Sequence, residues 1–107
     1  MPLFIAVHKW KPEETTTVTK EMVPMFAAIV EGKFPEEITL CATYMAGDLQ
    51  GAFCVWNAPS KEALEKVFDQ APTVKKGTEI VPVVQSYPPT MEYVLALYQQ
   101  MIQAASK

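Results

Sequence analysis

One histidine, two cysteines and a few aromatic residues are the side chains of this 107-residue chain with chemistry beyond packing. His8 is the only imidazole, and Trp10 follows it two positions later. Residues two apart on a strand share a face. Phe4, Ala6, His8 and Trp10 therefore belong to one side of an extended segment from Leu3 to Trp10, and Leu3, Ile5 and Val7 to the other. An imidazole among aromatic rings can act as a pocket base or as a metal or haem ligand. It can equally be a buried histidine bonded to a backbone carbonyl. A single histidine falls short of the three or four ligands of a zinc- or nickel-type site. Cys41 and Cys54 are the only thiols that could complete such a set. A two-residue turn at Gly47-Asp48 would pair Ala46 with Leu49 and bring Cys41 opposite Cys54. A register shift of one residue would send the two thiols to opposite faces. Unpaired cysteine is commonly a small buried apolar side chain, and an activated thiolate needs cationic neighbours. Lys9 and Lys11 are the nearest cations in sequence to the end of the first strand.

These residues need a sheet to position them. The stretch from Ile38 to Pro59 reads as a hairpin that is apolar or aromatic on both faces. The period-2 pattern predicts strands at Leu3–Trp10, Ile38–Ala46, Gln50–Ala58 and Thr78–Gln85. A helix is predicted from about Glu13 to Glu31, with Val18, Met22, Met25, Phe26 and Ile29 as its apolar stripe. Pro24 is expected to kink that helix, and Gly32 to end it. Ser60 is an N-cap for a second helix whose stripe is Ala63, Leu64, Val67, Phe68 and Ala71, with Pro72 as its stop and a polar loop at Thr73–Gly77. Pro82 marks the fourth strand as an edge. After Pro88-Pro89, a last helix carries Met91, Val94, Leu95, Tyr98, Met101 and Ile102 on one stripe and is expected to pack on its own domain or on a partner subunit.

The order β-α-β-β-α-β plus a terminal helix predicts an α+β, ferredoxin-like plan. It implies an antiparallel four-stranded sheet of order 4-1-3-2, in a single domain over residues 1–107, with residues 1–86 as core and 88–106 as the C-terminal helix. Half of the residues are apolar, enough for a core, and the net charge of −3 speaks against nucleic acid as a partner. No apolar run approaches the ~20 residues of a membrane span. The strand-like start without a basic leader, and two thiols that form no framework, predict a cytoplasmic protein. No phosphate-binding, metalloprotease or nucleophile-elbow motif is present.

Several stretches add a resemblance. AVHKWKP, GKFPEEITLCATYMAGD, FCVWNAPSKEALEKVF and TEIVPVVQS resemble the dimeric α+β barrel superfamily, over most of residues 1–86. They are most similar to small uncharacterised prokaryotic families within it, and NAPSKEAL is also similar to the small nickel-responsive barrel family. The superfamily includes antibiotic-biosynthesis monooxygenases, haem-degrading enzymes and muconolactone isomerases. The resemblance implies a homodimer formed through the sheet face, with a cavity between sheet and helices or between the two sheets. The expected function is binding of a small apolar or aromatic ligand, or an accessory role. His8, Trp10, Cys54 and Trp56 are the expected ligand-binding residues, on the sheet face that the helices leave open. The competing reading makes the same side chains dimer core. Two alternatives accompany this expectation. One is a monooxygenase- or isomerase-like enzyme, cofactor-independent or haem-dependent, with His8 as base or ligand. The other is a transition-metal-binding protein using His8, Cys41 and Cys54. The leading expectation holds no metal and no cofactor.

Overall fold

A computed structural model describes residues 2–83 and 90–105. Strand β1 (Leu3–Lys9) leads through a 3-10 turn at Pro12–Glu14 into helix α1 (Thr15–Val30). Strands β2 (Thr39–Met45) and β3 (Gly51–Asn57) form the hairpin. Helix α2 (Lys61–Val67) follows, then a 3-10 turn at Phe68–Gln70, helix α3 (Pro72–Lys76), strand β4 (Thr78–Val83) and helix α4 (Met91–Ala105). The sheet is antiparallel with order β2-β3-β1-β4. Pro82 thus stands on an edge strand, where its missing N–H costs least.

The core lies on one side of the sheet. Phe4, Ala6, Cys54 and Trp56 pack there against Val18 and Met25 of α1 and Leu64 and Val67 of α2. Ser60 caps α2 by accepting the Ala63 N–H at 3.1 Å. Helix α1 runs through Pro24, which is exposed. The predicted loop at 73–77 is instead α3, because Pro72 opens a helix rather than closing one. The Glu21 carboxylate of α1 satisfies the first N–H groups of α3, accepting from Thr73 at 2.9 Å and from Val74 at 3.0 Å. Burial pushes the Glu21 carboxyl upward, but these hydrogen bonds outweigh it and the net shift is downward.

The hairpin departs from the predicted two-residue turn. Leu49 donates to the Ala46 carbonyl at 2.9 Å, and the Asp48 side chain accepts the Gln50 N–H at 2.9 Å. Leu49, not Gly47, takes the left-handed conformation, with φ 63°. The longer loop pairs Met45 with Ala52 and Thr43 with Cys54, and a bulge at Cys41 shifts the register again.

Helix α4 matches its predicted span from Met91 to Ala105, but none of its residues is buried. Its apolar stripe is half-buried at most among the described residues. The radius of gyration of 16.3 Å exceeds the ~13 Å of a compact domain near this length. The predicted end of the fourth strand at 84–85, the Pro88-Pro89 stop and residue 106 lie outside the described residues. Among the described residues, no helix is long and apolar enough to cross a membrane.

Candidate functional site

His8 lies on the helix-covered side of the sheet, not on the open side predicted for it. It pairs across β3 with Ala52 and across β4 with Thr78. Cys54 and Trp56 share its side, so alternation grouped these three residues correctly while assigning the wrong face. Parity along a strand says which residues go together. It cannot say which side the helices take when both sides are apolar.

The sheet floor beneath α1 is built from small side chains. Ala52, Cys54 and Thr43 are neighbours there, and Val18, Met22 and Phe26 of α1 lie above them. The small floor leaves a cavity of about 380 Å³ between α1 and the sheet. His8, Trp10 and Cys54 border it, while Thr19, Val23 and Met45 are exposed and mark its mouth. This volume falls in the range that holds small organic ligands.

Trp56 does not border the cavity. It is fully buried in an aromatic chain, stacked on Phe34 at 5.8 Å and edge-on to Phe68 at 6.0 Å. Phe68 in turn meets the edge of His8 at 5.2 Å. Trp56 therefore packs behind Phe68 and does not line this cavity.

The His8 ring is held by a defined relay. Its Nδ1 is 2.6 Å from Thr78 Oγ1, and Thr78 Oγ1 donates to the Val74 carbonyl at 2.6 Å. A hydroxyl has one proton, so Thr78 must accept from His8 Nδ1–H. This fixes the tautomer and leaves a lone pair on Nε2, which is buried and has no protein partner among the described residues. Burial holds the imidazole pKa down, from 6.5 to about 4. His8 is therefore neutral at physiological pH. Thr78 carried no sequence signal of this role, because it reads as the first residue of a strand.

Close backbone approach fixes the height of β1 at this point. A Cβ on Gly77 would fall 2.0 Å from the Lys9 carbonyl oxygen, and one on Gly51 would fall 2.8 Å from that of His8. Glycine at both positions lets the neighbouring chain segments close on the end of β1.

The thiols separate. Cys54 is buried, accepts or donates at 3.3 Å with Thr43 Oγ1, and has its pKa raised by burial. Cys41 is exposed at the bulge and takes a hydrogen bond from the Asn57 amide at 3.3 Å. The mixed set of His8, Cys41 and Cys54 is therefore not assembled. Among the described residues, no group of three or more His, Cys, Asp or Glu side chains could hold a metal ion. No protein-family model and no curated protein matches the chain.

Proposed function

We propose that this chain is a small cytosolic homodimer of the ferredoxin-like, dimeric α+β barrel type that binds a small apolar or aromatic molecule between α1 and the sheet. The observation that carries the reading is the cavity of about 380 Å³, floored by small residues and walled by apolar ones. Its polar groups are few, which favours holding and orienting a ligand over transforming it. A general base works best with a pKa near the working pH. His8, held at about 4, suits hydrogen-bond acceptance better than proton abstraction, which weighs against the monooxygenase- or isomerase-like alternative. Two free thiols suit a reducing compartment.

The open side of the sheet supports the dimer reading. Tyr44, Phe53 and Val81 are 62%, 45% and 39% exposed, and Ile5, Val7 and Val55 lie between them on the same side. A continuous apolar face of this kind marks an interface.

The test fills the cavity from its floor. Ala52→Leu is expected to keep the fold and to abolish thermal stabilisation by small aromatic molecules that stabilise the wild type. A wild type whose melting temperature responds to no member of an aromatic set would overturn the reading.

A further inference from the structure

The His8 Nε2 lone pair sets a chemical requirement on the occupant, given the ligand-cavity reading above. His8 is buried, with 3% of the residue exposed. Its Nδ1–H is committed to Thr78, whose own proton is committed to the Val74 carbonyl. Among the described residues the Nε2 atom has no hydrogen-bond partner, and the residue borders the cavity. A buried acceptor without a donor is costly, so a molecule that brings one relieves that cost on binding. The thiol of Cys54, which also borders the cavity, is already engaged with Thr43.

We propose that the cavity selects, among small apolar molecules, those that carry a hydroxyl or N–H group and donate it to His8 Nε2. The ligand remains neutral and its proton stays on it, because the imidazole is a poor proton acceptor in this setting. No bond is made or broken. The occupant is a flat apolar body with one protic group, which an isostere lacking the donor does not match. A site built around a hydrogen bond rejects the analogue without it more strongly than an apolar pocket rejects a change of size.

The experiment compares 2-naphthol with 2-fluoronaphthalene on the wild-type protein, followed by calorimetry and through tryptophan fluorescence. Fluorine replaces the hydroxyl at similar size and cannot donate. The expected result is that 2-naphthol binds at least about tenfold more tightly. Two variants locate the effect. His8→Gln keeps an acceptor near the ε position and is expected to retain the preference. His8→Asn keeps a δ-position donor for Thr78 but has no ε acceptor, and is expected to lose it. Equal binding of the two probes by the wild type would overturn this proposal and leave the cavity reading standing. Failure of both probes to bind would overturn both. The wild-type comparison decides the matter even if a variant does not fold.

Discussion

At the scale of residues, His8 is governed by its surroundings more than by its type. The relay from Nδ1–H to Thr78 to the Val74 carbonyl gives the ring one orientation and one tautomer. Its contribution to stability depends on pH with a definite sign. The folded pKa is depressed from 6.5 to about 4 by burial. As pH falls below 6.5 the unfolded chain takes up a proton that the fold refuses, so stability present above that pH is lost progressively until about pH 4. The groups facing His8 are the Thr78 hydroxyl, the Phe68 ring and, along the cavity, the Cys54 thiol. Among the described residues no carboxylate forms an ion pair with it. The loss amounts to on the order of 3 kcal/mol. Denaturant unfolding at pH 7, 5 and 4 should show the wild type losing more stability than His8→Gln by about that amount, and parallel losses would refute the assignment. His8 and Trp10 were legible as candidates from their types and spacing. Thr78 was not, because a threonine opening a strand carries no signal until the fold brings it across 70 residues of chain.

At the scale of elements, α3 is the keystone that composition hid. Residues 73–77 after a proline read as a loop, yet Pro72–Lys76 form a helix held by Glu21 of α1. That contact places Val74, whose carbonyl anchors Thr78 and through it His8. Glu21→Ala would leave the Thr73 and Val74 N–H groups without their acceptor. A loss of about 2 kcal/mol is expected by thermal or denaturant unfolding, whereas Glu21→Gln, which retains an acceptor oxygen, should cost less. Equal stability of Glu21→Ala and wild type would show that solvent replaces the carboxylate fully. The hairpin teaches the same lesson in reverse. Gly47-Asp48 has the composition of a two-residue turn, but the Asp48 side chain caps Gln50 and moves the left-handed residue to Leu49. With the bulge at Cys41, this local choice decides that Thr43 rather than Cys41 faces Cys54.

At the scale of the whole molecule, two apolar surfaces are exposed among the described residues. One is the open side of the sheet around Phe53, and the other is the exposed side of α4 bearing Leu95 and Tyr98. The sheet side is the proposed dimer interface. Phe53→Glu would place a solvated charge on a monomer but a buried, unpaired charge in that dimer. Native mass spectrometry and sedimentation should show a wild-type dimer and a Phe53→Glu monomer with its secondary structure retained. A monomeric wild type at micromolar concentration would remove the barrel from consideration.

The amino-acid pattern alone determined the four strands and helices α1, α2 and α4, the stripes of α1 and α2, the Ser60 cap and the grouping of His8, Cys54 and Trp56 on one face. These are properties of periodicity and local hydrogen bonding, which neighbouring residues settle among themselves. The tertiary structure alone decided which face the helices cover, where the cavity opens and that Trp56 does not line it. It also decided that the thiols part and that Thr78 sets the tautomer of His8. Each of these depends on register and on contacts between residues distant in the chain. When both faces of a strand are apolar, the pattern within that strand carries no information about them.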